Sequence, residues 1–472
     1  MDKKEINEIL KVALRHGADF AELFWEHKET TAIGCEENRI ERILSGIDEG
    51  AGIRVIYDSS SSYAYTNDVT TKRLLEVAEL AGKAAQKRER FPESISFYTP
   101  KAALEFPVKI PPQDVKIEAK TKKVLAANNA ARQVDKRIRQ VSVGYQDVRQ
   151  NVTIANSEGV FVEDLRTRTR LSVNAVATEN SIVQTGYNSA GGVMGFEFFD
   201  ENDPETIGEN AAKRAVLMLS AQNAPTGRMP VVMASLAGGT MIHEACGHGL
   251  EADLVQKKLS VYANKIGEQV ASQLVTVIDD GLIPGKYGSF RYDDEGCPAQ
   301  KTTLIEKGIL KEYMYDYQTA THENRKSTGN GRRESYHSRP LPRMRNTYIV
   351  PGTMNADGIV KEVKDGLLVM AMGGGQVNTT TGDYVFDVAE GYIIKDGEVQ
   401  YPVRGATLTG NGPETLQLVE MIGSDFGYAI GVCGKAGQGV PVADAQPTIA
   451  VKELIVGGRG DSQKRDTKIR RL

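Results

Sequence analysis

Stretches of alternating polar and apolar residues, each cut short by Gly, Asn or Asp, set the first limit on how this chain can fold. AELFWEHKETTAIG, NRIERILSG and GAGIRVIYD follow one another in this way, and a period of two with turn formers between predicts antiparallel strands. The pattern returns from Gln140 to Thr178, where Asn156-Ser157-Glu158-Gly159 supplies a hairpin turn. Helical spacing separates these blocks. The first helix is expected from about Lys3 to His16, closed by Gly17, a residue suited to the left-handed conformation after a helix. Others are expected over TTKRLLEVAELAGKAAQKRER, from about Val115 to Val134, and from Asp203 to Ser220. FPESISFYTPKAALEFPVKIPPQD carries five prolines and reads as a connecting loop.

The stretch AQNAPTGRMP combines turn formers with two prolines, which sets a domain boundary near Asn223 to Pro230. Beyond it, PVVMAS reads as a short buried strand running straight into a helix that carries two histidines. Short strands with Gly-rich turns follow: GILKEYMYD, NTYIV, GLLVMAM, GDYVFDV and GYIIKDGEV. The reading is an α+β protein of two domains, residues 1–224 and 225–472, each with mainly antiparallel sheet and packed helices. A basic segment, SQKRDTKIRRL, follows the last strands and reads as a frayed end.

Composition narrows the function. With 472 residues, 40% hydrophobic and 25% charged, the chain is long enough for two or three domains with their own cores. A formal charge of −4 gives no global attraction to nucleic acid or to an anionic membrane. No run approaches the roughly 20 apolar residues that cross a bilayer. The first residues form an amphipathic pattern, unlike a signal peptide, so the expected location is the cytoplasm. The four cysteines, Cys35, Cys246, Cys297 and Cys433, are too scattered for a disulfide framework.

Only six histidines occur, and two of them stand in TMIHEACGHGLEAD as His243-Glu244-x-x-x-His248. Histidines four apart share one helical face. Five apart, they diverge by about 140° on an ideal α-helix. One extra residue in the turn, a π-bulge, realigns them, and Gly247 can accommodate that distortion at little steric cost. The helix must therefore bulge or end there if both residues are to act on one ion. Catalytic zinc takes three protein ligands and keeps one position open. Cys433, in YAIGVCGKAGQGVPV, is the best candidate for the third, with Glu251 and Asp253 able to ligate or to support the ligands. Cys246 should point elsewhere. Glu244, next to the first ligand, is placed to act as general base. The same residues also suit a surface His pair, or satisfied core histidines with Cys433 as a small buried residue in a turn.

At these blocks the chain resembles the TldD/PmbA family of metallopeptidases, on its TldD-like, catalytic branch. The resemblance rests on HEACGHGLEAD (243–253), DDEGCPAQ (293–300), GGGQVNTTTGDYVFDVAEGYIIKDGE (373–398) and GVCGKAGQ (431–438). It implies Zn2+ held by His243, His248 and Cys433, with Glu244 catalytic. It also implies two α+β domains assembling as a dimer around an interior cavity that admits unfolded or extended peptide. The dimer would be with itself or with a PmbA-like subunit. The family's older description as a modulator of DNA gyrase supplies the rival reading, a non-catalytic interaction protein with structural zinc. Cys246 and Cys297 depart from the family's usual aliphatic residue and Thr, putting two thiols near the site.

Three further features carry open readings. RKSTGNGRRESYHSRPLPRMRNTY contains Arg325, Lys326, Arg332, Arg333, Arg339, Arg343 and Arg345. It reads either as a mobile basic loop over the site, with Tyr336 or His337 stabilising an oxyanion, or as a loop that is solvated or buried at a dimer contact. Asp293, Asp294 and Glu295 suit a hard cation or, more simply, a turn with surface charge. GGGQ lacks the spacing of a phosphate loop and reads as a turn before a strand.

Overall fold

The computed structural model describes residues 1–58, 60–85 and 92–458. The basic segment SQKRDTKIRRL and the last residues of the helix expected over TTKRLLEVAELAGKAAQKRER lie outside them. The architecture is mixed α+β, and no helix among the described residues is long and apolar enough to cross a membrane.

The first half is built on one antiparallel sheet. Strands β1 (Phe20–Glu36), β2 (Arg39–Tyr57), β3 (Ser60–Thr66), β4 (Ile138–Asn156), β5 (Phe161–Glu179) and β6 (Ile182–Gly192) lie in the order β3-β2-β1-β4-β5-β6. Helices α1 (Lys3–Leu14), α2 (Thr71–Lys83), α3 (Ile117–Gln133) and α4 (Pro204–Leu219) fall close to their expected spans. Asp2 caps α1, its Oδ1 accepting from the Lys4 and Glu5 amides at 2.6 and 3.0 Å. Gly17 takes φ of 85° just beyond that helix, as its position after the helix predicts.

NRIERILSG and GAGIRVIYD, expected as two strands, form the single strand β2. The glycines that open the second stretch do not break it because they serve another purpose. A Cβ on Gly50 would sit 2.2 Å from the Tyr336 ring, and one on Gly52 would sit 1.7 Å from the Tyr63 hydroxyl. Bare backbone at these positions lets the segment around Tyr336 lie against the sheet.

Strand alternation sorts the sheet into two unlike faces. Leu23, Ile53, Val143 and Val173 point towards the four helices and build two apolar cores with them. The opposite face carries Glu22, Glu26, Arg54, Asp164 and Arg166, all buried, and it packs on the second half of the chain. Arg54 joins Glu22 at 2.8 Å to Glu295 at 2.6 Å, and Glu26 accepts the Tyr336 amide at 2.9 Å.

The second half contains two larger sheets. A six-stranded one orders Ile309–Leu310, Lys301–Glu306, Val277–Asp280, Asn346–Ile349, Gln438–Gln446 and Gly427–Lys435. Only the Asn346–Ile349 pairing with Gln438–Gln446 is parallel. In the other, the pairing closes on itself. Gly366–Val377 pairs with Gly227–Met233, which pairs with Ile449–Gly457, then Thr407–Asn411, then Asp383–Lys395, which returns to Gly366–Val377. Most of GILKEYMYD is irregular, with only Ile309–Leu310 in a strand. GGGQ lies inside Gly366–Val377 as strand, rather than as a turn before one.

Candidate metal centre

The strand Gly227–Met233 leads through a short turn into the histidine segment by way of Gly238 and Gly239, at φ of 77° and 73°. Both conformations suit glycine. At Gly239 there is a second reason, since a Cβ there would lie 2.4 Å from the Ala445 backbone nitrogen. The segment is thereby pressed against the strand that carries Asp444.

Thr240–Ile242 is α-helical, His243–Gly247 forms a π-turn, and His248–Leu250 tightens to a 3-10 turn. The His248 amide donates to the His243 carbonyl, a five-residue reach. This is the distortion that the five-residue spacing requires. Gly247 plays a different part from the expected one, because its own backbone is ordinary right-handed helix. What it provides is room: a Cβ would lie 2.1 Å from the Met344 sulfur.

The two rings meet edge to face with centroids 4.9 Å apart. Cys433, on the outermost strand Gly427–Lys435, places Sγ 3.4 Å from His248 Nε2. One donor atom from each of His243, His248 and Cys433 lies within 4.8 Å of the others. His243 Nδ1 is 2.9 Å from Asp444 Oδ1, and His248 Nδ1 is 3.0 Å from Glu251 Oε2. Each ring is thus held by a carboxylate on one nitrogen, which orients the other towards the cluster.

Charge at the cluster suits a cation. The Cys433 thiol, which burial alone would raise, is drawn down to about 5 by the neighbouring His243 and His248 imidazoles. Burial opposes charge on His248, yet Glu251 and Cys433 hold it up at about 9, and Asp444 and Cys433 likewise raise His243. Two carboxylates and a thiolate therefore favour positive charge among them, which a divalent ion supplies in place of ring protons. The donor set of two imidazoles and one thiolate fits zinc chemistry.

Glu244 lies beside the cluster, and burial raises its carboxyl above the ordinary range. Among the described residues, no side chain hydrogen-bonds to it. Cys246 points away, its Sγ 3.5 Å from the Ile242 carbonyl, and burial pushes that thiol far up. Neither Glu251 nor Asp253 joins the three donors. Glu251, which burial would raise, is brought down to about 2 by Lys435 and His248. Lys435 Nζ lies 3.0 Å from Glu251 and 2.6 Å from Asp253.

The basic stretch 325–348 forms no open basic flap. Arg332, Arg333, Arg343 and Arg345 are buried within the chain. Arg343 Nη2 donates to the Cys433 carbonyl at 2.5 Å, and Arg345 pairs with Asp279 at 2.6 Å. Tyr336 is spent on Asp48, to which its hydroxyl donates at 3.0 Å, and His337 lies against Ser335 at 3.3 Å. Asp293, Asp294 and Glu295 are neither a cation site nor surface charge. They are buried acceptors for Gly331 N, Arg166 and Arg54 respectively. Sequence reasoning missed Asp444, Lys435 and Arg343 as supports of the cluster. Only Lys435, two residues past Cys433, had a positional hint.

A closed ring of strands and a His-His-Cys cluster that could hold a metal ion mark this as a protein with a candidate metal centre. The chain belongs to the PmbA/TldD metallopeptidase family. Residues 21–85, 110–219 and 226–458 match the family's domain 1, central domain and C-terminal domain in turn. It is 36% identical to the metalloprotease TldD homolog of Haemophilus influenzae, over 95% of each chain. It is 35% identical to a metalloprotease of Methanothermobacter thermautotrophicus, over 93% of this chain and 96% of that one. In fold it is similar to TldE from Thermococcus kodakarensis, with a TM-score of 0.76 at 20% identity, covering 96% of this chain and 100% of that one. A Thermotoga maritima structure described as a modulator of a DNA gyrase aligns with a TM-score of 0.80 at 21% identity, with 96% and 100% covered.

Proposed function

We propose that this protein is a zinc peptidase that hydrolyses unfolded or extended peptides, with His243, His248 and Cys433 as metal ligands and Glu244 as general base. The observation that carries the reading is the convergence of three donor atoms within 4.8 Å beside a carboxylate with no committed partner. When bound, the metal supplies Lewis acidity towards water and a peptide carbonyl. Glu244 accepts a proton as water attacks and hands it to the leaving amine. Burial raises its affinity for protons above that of an ordinary carboxylate, which favours the role of proton acceptor. Asp444 and Glu251 keep the imidazoles oriented throughout.

Gly427–Lys435 is an edge strand of its sheet. An extended peptide pairing there by main-chain hydrogen bonds would run past Cys433, which favours broad sequence tolerance. On this reading residues 1–224 serve as scaffold and 225–472 carry the chemistry. The protein works in the cytoplasm as a dimer, with itself or with a PmbA-like subunit, around an interior cavity, and contacts neither nucleic acid nor membrane. The rival, a gyrase modulator with structural zinc, calls for a closed set of four protein ligands, and among the described residues the cluster offers three.

The test is mass spectrometry of an unfolded peptide incubated with the wild-type chain and with Glu244→Gln, with metal content measured in both. Cleavage by the wild type alone, at equal metal content, supports the reading. Equal cleavage by both removes Glu244 from the chemistry.

A further inference from the structure

A second polar site lies where the charged face of the first sheet meets the second half. A cavity of about 300 Å³ opens there, lined by Lys28, Val148, Arg168, Arg332, Val432 and other residues. Its floor is set by strand register. Thr30, Val148 and Arg168 stand opposite one another across β1, β4 and β5, and Lys28, Gln150 and Arg166 form the next row.

Two of the cations differ from the rest. Arg166 is matched by Asp164 and Asp294, and Arg333 by Glu22. Arg168 and Arg332 are 9% and 4% exposed, and among the described residues neither has an acidic partner. Among the described residues, Arg168 donates only to the Tyr287 and Ser289 carbonyls, at 3.3 and 3.4 Å. Arg332 donates to the Met344 and Pro441 carbonyls, at 2.5 and 2.7 Å. A guanidinium has five N–H donors, so each keeps three.

The buried carboxylates in the lining are already committed, and the exposed Glu334 is engaged through one oxygen. Asp293 accepts the Glu295, Cys297 and Gly331 amides, Asp294 holds Arg166, and Glu334 accepts the Gly439 amide at 2.9 Å. Burial, followed by repulsion from a neighbouring guanidinium, weakens the hold of both arginines on their protons: Arg166 acts on Arg168, which falls to about 10, and Arg168 acts on Arg332, which falls to about 9. Unmatched buried charge of this kind is costly unless a counter-ion is supplied.

We propose that this cavity binds a phosphate dianion, with Arg168 and Arg332 as its paired ligands. Two uncompensated guanidinium groups call for two negative charges, and their planar forks match phosphate oxygens. The volume exceeds what a bare phosphate fills, so the dianion can be free phosphate or the phosphate of a small organic monoester. The site is separate from the metal cluster. It nonetheless reaches the same hairpin, since Val432 lines it from the strand position before Cys433 and Arg332 holds Pro441.

The test is isothermal titration of the full-length metal-loaded protein with inorganic phosphate, phenyl phosphate and acetate at constant ionic strength. Saturable one-to-one phosphate binding is expected, weakened at least tenfold in Arg168→Gln. Val148→Glu places a carboxylate directly across from Arg168. It should abolish phosphate binding and raise Tm in phosphate-free buffer, and it keeps the test intact if Arg168→Gln folds poorly. Tighter binding of phenyl phosphate would identify an organic monoester, and equal binding would identify free phosphate. The proposal is overturned if no saturable binding occurs, if acetate binds as well as phosphate, or if either folded variant keeps wild-type affinity, which would place the phosphate elsewhere.

Discussion

At the residue scale the candidate metal centre is held in shape by groups outside its donor set. Asp444 fixes His243 from 201 residues away, and Glu251 fixes His248 from three. Loss of such supporting carboxylates typically lowers metal affinity by about 10- to 100-fold. Asp444→Asn should therefore release zinc to a competing chelator at about a tenfold lower chelator concentration, while far-UV circular dichroism stays unchanged. Glu244→Gln should instead keep the metal and lose turnover by about 1,000-fold or more, consistent with removal of a general base. The two variants separate holding the ion from using it. Sequence spacing exposed His243, Glu244 and His248 because chemistry tied to one turn leaves a local mark. Asp444 and Arg343 left none, because their partners are brought to them only by tertiary folding.

At the element scale the π-turn over His243–Gly247 was legible, since a five-residue spacing admits few other solutions. The tight seating of that turn was not. Gly239 combines a left-handed backbone with a Cβ position only 2.4 Å from Ala445 N. Gly239→Ala should cost about 2 kcal/mol or more in urea unfolding, because strain and backbone contact add. It should also lower zinc content, since the histidines and Asp444 would be forced apart. Alternation likewise predicted the strands of the first sheet but not the fate of its polar face. A strand with charged residues at every second position reads as half solvated. Here Glu22, Glu26 and Arg54 are buried by a second layer from elsewhere in the chain.

At the scale of the whole molecule, the two halves are joined through buried ion pairs set around an apolar cluster in which Phe24, Val152, Ile154 and Val162 meet Tyr292 and Tyr336. Asp294 sits at the centre of that joint. Burial alone would raise its carboxyl, but the Arg166 and Arg333 guanidinium groups hold it below the ordinary carboxylate range. Removing one partner of a buried pair costs about 3 kcal/mol or more. Asp294→Asn should lose that much stability at pH 7 by denaturant titration. Because the folded group binds its proton less readily than the unfolded one, its stabilisation is complete above about pH 4 and fades as pH falls through the folded value. The gap between wild type and variant should narrow accordingly in acid.

The ring of strands has one more implication, for the order in which the protein is made. Its closing member, Ile449–Gly457, slots between Gly227–Met233 and Thr407–Asn411. The histidines are synthesised near the middle of the chain, whereas Cys433, Asp444 and that closing strand all emerge late. Domains form from the N-terminal side during synthesis, so the first sheet and its helices can assemble while the ring is still open. A growing chain would carry two of the three candidate metal ligands through the second half of translation and acquire the third only shortly before the ring shuts. On the proposed reading, the metal site cannot act on the chain's own unfolded segments before those late strands are in place.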